Sequence, residues 1–355
     1  MKKIIVLTGG LSRERDVSFA MGGQIAATLK KNGHCVVLLD TYMNYDFYYS
    51  FEELYNQHKN DNLDYEIPAT EPDLETIKLY RGGNQLLGKN ILEACCTADV
   101  CFLAQAGSIS ENGQLPAVLD VFGIPYTGSG QIGSLLSMDK VLAKGIVAQN
   151  GIQTPLAQVI SRNITDNELE RLLEKFSMPC ILKPRNGGSS IGITIVKSIK
   201  DIAEAVENIR SHDDDFFIED YIQGMNLTVG ILGNKALPSV FISHNSEFND
   251  FQTKYQGKSK LVCPAPISHS LEKKLRKLSV KIHNALQMEF YSRQDFIIDD
   301  NNNIYFLEAN SRPGMTPVSA FSRAANIAGV SFSQLCEDIV AHSLERAYLK
   351  QAKHN

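Results

Sequence analysis

The chain of 355 residues has no tryptophan, no block of basic residues, no long apolar run and no C-x-x-C pair among its seven cysteines. Each absence removes a class of protein. Cys35, Cys95, Cys96, Cys101, Cys180, Cys263 and Cys336 form an odd set without paired spacing, which points to neither a disulfide framework nor a zinc site. A reducing cytoplasm is the expected setting, with most of these thiols acting as small buried hydrophobes. No stretch approaches the roughly 18 apolar residues of a membrane span. Only Ile4–Leu7 follows Met1-Lys2-Lys3, short of the about 7 to 15 apolar residues of a signal peptide, so a first buried strand is expected there. With 35 Lys and Arg against 40 Asp and Glu, the net charge of -5 leaves no electrostatic footprint for nucleic acid or an anionic membrane.

What is present fits a globular enzyme. A composition of 43% hydrophobic and 21% charged residues is that of an ordinary soluble protein. The length suggests two or three domains and buries roughly three quarters of the unfolded surface, so no staple is needed. Ile4–Leu7, then Val17, Met21, Ile25 and Leu29 at helical spacing, then Cys35–Leu39, read as strand, helix, strand of a parallel sheet. Gly33 falls where a left-handed helix cap is wanted. Periodicity is lost in a polar, tyrosine-rich insertion from Tyr42 to about Lys89, and returns at Ile91 and in a strand over 99–104. A second unit has strands at 180–183, 192–196 and 216–219 with a helix over 200–210. A third has a helix over 271–286 and a hairpin over 293–309. The fold class is α/β, divided at about residues 137 and 221: 1–137, 138–221 and 222–355.

The hairpin carries the most information. A four-residue loop over 300–303 sets residues whose numbers sum to 603 opposite each other. Asp295 then faces Glu308 and Arg293 faces Asn310, all on one face because strand side chains alternate. Two opposed carboxylates repel unless a cation lies between them. Magnesium fits, with the Asn310 amide oxygen joining; a surface acid pair neutralised by Arg293 is the alternative.

Lys183 ends a strand and opens a loop of small residues, Gly187-Gly188-Ser189-Ser190, whose backbone amides and hydroxyls suit a phosphate; the run by itself is more often a flexible turn than a ligand loop. Gly83–Asn90 has Walker A spacing but ends in Asn90 where a Ser or Thr must reach magnesium, and Gly9-Gly10 lacks the G-x-G-x-x-G of dinucleotide binding. The eight histidines are scattered, without metal-binding spacing. Lys254-Tyr255 lies in a polar stretch over 248–260 that reads as a loop, a lid at most.

Six blocks in one order resemble the D-alanine:D-alanine ligases of the ATP-grasp superfamily: Leu7–Ser18, Pro125–Gly130, Ser137–Lys140, Ile181–Gly192, Asp250–Tyr255 and Leu307–Thr316. The resemblance implies an ATP-grasp fold behind an N-terminal parallel-sheet domain. It also implies an enzyme that phosphorylates one amino acid's carboxylate with ATP and lets a second amine attack the acyl phosphate, feeding cell-wall construction. Lys140 and Lys183 then contact phosphates, with Ser189 and Ser190 in the loop above and Glu219 by the adenine. The usual ribose-binding acid falls on Asn226. Asp295, Glu308 and Asn310 hold magnesium or manganese, Arg293 stabilises charge at the attacked carbonyl, and Lys254 and Tyr255 close the site. On the substrate side the family's ammonium-binding Glu falls on Asp16 and its histidine on Ala106. Arg312 adds a cation near the acceptor, beside Gly314. Ser319 binds the acceptor carboxylate and Ala320 enlarges its surroundings. These departures raise a second expectation, a ligase for another amino acid or amine pair, beside a third, a non-catalytic ATP-binding module. The family habit implies a homodimer.

Overall fold

The computed structural model describes residues 1–83, 85–161, 163–188, 192–210, 215–243 and 260–352. Its first layer is a parallel sheet in the order β2-β1-β3, from β1 (Lys3–Thr8), β2 (Cys35–Asp40) and β3 (Val100–Leu103). Both faces are covered, which is why these strands read as unbroken apolar runs. Ile4 and Val6 point to α1 (Arg15–Lys31), whereas Ile5 and Leu7 point to α2 (Phe51–His58), α4 (Ile91–Cys96) and α5 (Gln114–Val121). Gly33 has φ +91° just past α1 and gives the expected left-handed cap. The supposedly featureless insertion contains two helices, α2 and α3 (Leu74–Arg81). They are eight residues each, too short for periodicity to register, and α3 buries nothing. Its Walker-like segment serves packing: the Gly88 amide donates to the Thr41 carbonyl at 2.7 Å.

After α6 (Gln131–Met138) and α7 (Lys140–Gln149), the second sheet runs β4-β7-β5-β6. Its strands are β4 (Ala157–Ile160), β5 (Cys180–Pro184), β6 (Thr194–Val196) and β7 (Phe216–Asp220), all antiparallel to their neighbours. Cys180, Leu182, Phe216 and Ile218 pack on α8 (Asp166–Leu173) and α9 (Ile202–Arg210). Period two then sends Ile181, Lys183 and Glu219 to the other face.

The third sheet is also antiparallel, in the order β11-β10-β8-β12-β13, with β9 (Lys235–Ala236) beside β8. Its strands are β8 (Met225–Leu232), β10 (Val240–Ser243), β11 (Lys260–Val262), β12 (Tyr291–Ile298) and β13 (Ile304–Asn310). One face packs on α7 and α10 (His269–Ala285). At the far end α11 (Ala320–Ile327) and α12 (Phe332–Ala352) join the first layer: Phe321, Leu335, Ile339 and Val340 share a core with Ile4, Met21 and Ile25.

Candidate active site

A cavity of about 1210 Å³ opens between the second and third sheets and is closed at one end by α1 and the loop after β3. The β12–β13 ribbon is its floor. Arg293, Asp295 and Ile297 are partly buried there while Gln294, Phe296 and Ile298 go into the core, an alternation that a half-buried strand requires. Asp295 pairs with Glu308 and Arg293 with Asn310 in the antiparallel register, as the sequence suggests. The route to that register differs. The turn closes at Ile298–Ile304, leaving five residues rather than four, held by the Asp299 side chain on the amides of Asn301 and Asn303. A bulge between Asp295 and Phe296 then restores the pairing, so two one-residue deviations cancel before the acids are reached.

Arg293 donates twice to Asp295, Nε to Oδ1 and Nη2 to Oδ2, both at 2.9 Å, and the Thr228 hydroxyl adds a third bond at 2.6 Å. Neutralisation by arginine is therefore real for Asp295. It does not exhaust the donor set. The buried Asn310 amide nitrogen has no hydrogen-bond partner among the described residues, and a flip of the amide exchanges its two ends. Two carboxylates and an amide oxygen are hard donors of the kind magnesium or manganese takes, so these residues fit such an ion. No group of three His, Cys, Asp or Glu suited to a metal occurs among the described residues; the third donor is the amide.

A small adjoining cavity brings Lys140 and Gly187-Gly188 to Glu308 and Asn310. Lys140 Nζ donates to the Gly187 carbonyl. Asp139 caps α7 by accepting the amides of Val141 and Leu142, and it also takes Arg185 Nε at 2.8 Å, which ties the helix start to the loop after β5. Lys183 is ion-paired with Glu219, and so is Lys144, 2.9 Å from Oε2. Burial would push the Glu219 carboxyl up, but Lys144 and Lys183 together hold it below the usual carboxylate range. Sequence reasoning missed Lys144. Its signal was the four-residue spacing from Lys140, two like charges on one helix face that repel unless an acid joins them. Asn226 lines the cleft, one position before Leu227 on β8.

At the α1 end the expectations need correction. Asp16 is not among the lining residues: its carboxylate accepts the Tyr65 hydroxyl at 2.5 Å, and Tyr65 stacks on Phe19. Glu14 lines the cleft instead, its carboxylate against the backbone of Gly107 and Gly188, where any side chain would collide with it. Glu14 precedes α1 in a non-helical conformation whereas Asp16 lies in its first turn, so the two side chains leave the backbone in different directions. Ala106 lines the cavity, and beside it Glu111 accepts the Gly107 amide at 2.6 Å. Burial, and then Glu14, push the Glu111 carboxyl up to about 7.

Arg312 lines the cleft with Gly314 and Ser319, but it is not loose. It is 3% exposed and donates to the Ser110 carbonyl at 2.5 Å, the Ser134 hydroxyl at 2.9 Å and the Ser129 carbonyl at 2.8 Å. It pins the loop after β13 to the segments around Ser110 and over 129–134. Gly314, Ser319 and Ala320 all line the cleft. Ser319 caps α11, its hydroxyl accepting the Ser322 amide, so the helix N-terminus with its partial positive charge faces that end of the cavity. Ser189, Ser190, Lys254 and Tyr255 lie outside the described residues.

Comparison with known proteins agrees over the whole chain. The family profile described as D-ala D-ala ligase N-terminus matches residues 3–129, and that described as D-ala D-ala ligase C-terminus matches residues 146–341. A D-alanine–D-alanine ligase of Pediococcus pentosaceus is 36% identical over 95% of this chain and 96% of its own length, and one of Lacticaseibacillus casei is 30% identical over 97% and 96%. The crystal structure of D-alanine–D-alanine ligase from Bacillus anthracis complexed with ATP superposes with a TM-score of 0.74 at 26% identity, covering 99% of this chain and all of that one. The antiparallel second and third sheets flanking the cleft are thus those of an ATP-grasp fold, and the chain belongs to the D-alanine–D-alanine ligase family.

Proposed function

We propose that the chain is an ATP-dependent ligase that joins two D-alanines through an acyl phosphate, releasing ADP and phosphate for peptidoglycan synthesis. One observation carries the reading: a single cleft holds the opposed Asp295–Glu308 pair with Arg293 and Asn310 on its floor, the Lys183–Glu219 pair on its wall, and Glu14 at its far end. Phosphoryl transfer asks chiefly for positioning and charge neutralisation, which those residue types supply. Lys140 and Lys183 hold phosphates and Glu219 meets the adenine, with Asn226 toward the ribose. Asp295, Glu308 and Asn310 would hold magnesium or manganese, which when bound supplies charge neutralisation of the triphosphate.

At the other end, Glu14 takes the ammonium of the first amino acid in place of Asp16, and the α11 N-terminus with Ser319 takes the carboxylate of the second. Gly314 and Ala320 leave room between them. Asp295 fixes the Arg293 guanidinium with two parallel bonds, and a pre-set cation stabilises charge developing at the attacked carbonyl without reorganisation. By the family resemblance Ser189 and Ser190 join the phosphate contacts and Lys254 and Tyr255 serve closure, all four outside the described residues, and residues 138–221 act as the lid unit between 1–137 and 222–355. Closure excludes water, which would hydrolyse the acyl phosphate. The site is cytoplasmic in this reading; no helix among the described residues is long and apolar enough to cross a membrane. Val121, Phe122, Ile132 and Leu135, exposed on and just past α5 and on α6, support a homodimer.

ADP release with single and paired D- and L-amino acids tests the reading. D-alanine alone is expected to suffice. A requirement for another pair overturns the substrate assignment and keeps the ligase; no turnover with any pair overturns both.

A further inference from the structure

We infer that Lys144 is a positioning residue for the nucleotide, the counter-ion that keeps the Glu219 carboxylate charged and fixed once Lys183 turns from it to a phosphate. The inference rests on the assignment of Lys183 and Glu219 to the nucleotide made above.

The two lysines on Glu219 are not equivalent. Lys183 is the penultimate residue of β5 and lines the cleft, so its ammonium is within reach of a ligand. Lys144 comes from behind, on α7, and is not among the lining residues. Its side chain is 5% exposed and that of Glu219 is 1% exposed. Helix α7 is itself anchored, by the Asp139 cap and by Arg185, so Lys144 approaches Glu219 from a fixed base. A carboxylate this deep is stable only while paired; withdrawing a sole partner leaves a buried charge without compensation. Were Lys183 alone on Glu219, every phosphate it bound would strand that acid. With Lys144 in place Lys183 can leave, and Glu219 stays aimed at the base.

Steady-state kinetics on the full chain with saturating amino acid tests this. Lys144→Met is expected to raise KM for ATP about tenfold with kcat within about threefold, and Lys144→Arg to recover most of the loss. A merely structural role would lower the active fraction, hence kcat, and leave KM unmoved. Because Lys144 acts through Glu219, adding Lys144→Met to Glu219→Gln should move KM by less than about twofold; this double variant leaves no acid unpaired and covers the case in which Lys144→Met does not fold. An unchanged KM in Lys144→Met, or an equal effect in both backgrounds, overturns the inference. Absence of ADP release by the unmodified chain with any amino acid sinks the ligase assignment instead. Calorimetric titration with ATP then decides on Lys144 alone: weaker binding by Lys144→Met supports its role, and equal binding overturns it.

Discussion

The floor of the cleft and its α1 end contrast in how they are built. On the floor, Arg293, Asp295, Glu308 and Asn310 lie on two hydrogen-bonded strands, and the ladder fixes which side chains meet. At the α1 end, Glu14 precedes a helix, Glu111 sits in a loop, and Arg312 follows a strand, each set by turns and caps of different elements. A ladder transmits register over many residues; a loop fixes only its own. The chemistry of the floor is therefore tolerant of local irregularity, and that of the other end depends on single contacts.

The largest test of this contrast is on the floor. Asp295→Asn with Glu308→Gln should lower kcat on the order of 10³-fold while thermal denaturation stays nearly unchanged, since neither side chain belongs to a core. A full loss of folding instead would mean that the ribbon needs its acids for structure. Next comes the choice at the α1 end. Glu14→Gln is expected to cost about 2 kcal/mol, roughly 30-fold in kcat/KM for the amino acid, and Asp16→Asn less than threefold. Equal losses would return Asp16 to the site.

Arg312→Leu should cost about 1 to 2 kcal/mol of stability in urea denaturation, because three acceptors lose their donor, with KM for the amino acid unchanged. A raised KM at unchanged stability would make it a substrate contact. The last test concerns the pH dependence set by Glu111. Its folded pKa, about 7, lies above the ordinary glutamate value of 4.5, so between those pH values the folded state holds more protons than the unfolded one and stability falls as pH rises. Glu14, Arg312 and Arg293 are the charged groups around it. Glu111→Gln should flatten that slope between about pH 4.5 and 7; parallel melting curves for both proteins across the range would refute the coupling.

How much was legible follows the same division. The buried strands β1 to β3 were readable as apolar runs and helices α1 and α10 from their 3.6-residue period, and the acids could be paired across the ribbon from spacing alone, whereas β4, β8 and the longest helix, α12, went unread. That pairing succeeded through compensation: the five-residue turn and the bulge at Leu307 were both invisible, and each hides the other. The exchange of Glu14 for Asp16 was not legible, since both acids lie in one motif and only the start of α1 decides which faces inward. Arg312 was legible only in part. A cation in a substrate-proximal motif suggests a cleft residue, and it lines the cleft, but its partners are two carbonyls and a hydroxyl far away in sequence, which no local pattern reveals.

The packing of α12 on the first sheet bears on how the chain is made. Leu335, Ile339 and Val340 complete a core whose other walls are Ile4, Met21 and Ile25. A nascent chain has β1, β2 and β3 by residue 103, yet that face is not sealed until residues 332–352 have left the ribosome. Until then the oldest part of the molecule carries an uncovered greasy side, and truncation at the carboxyl end would harm the opposite terminus first.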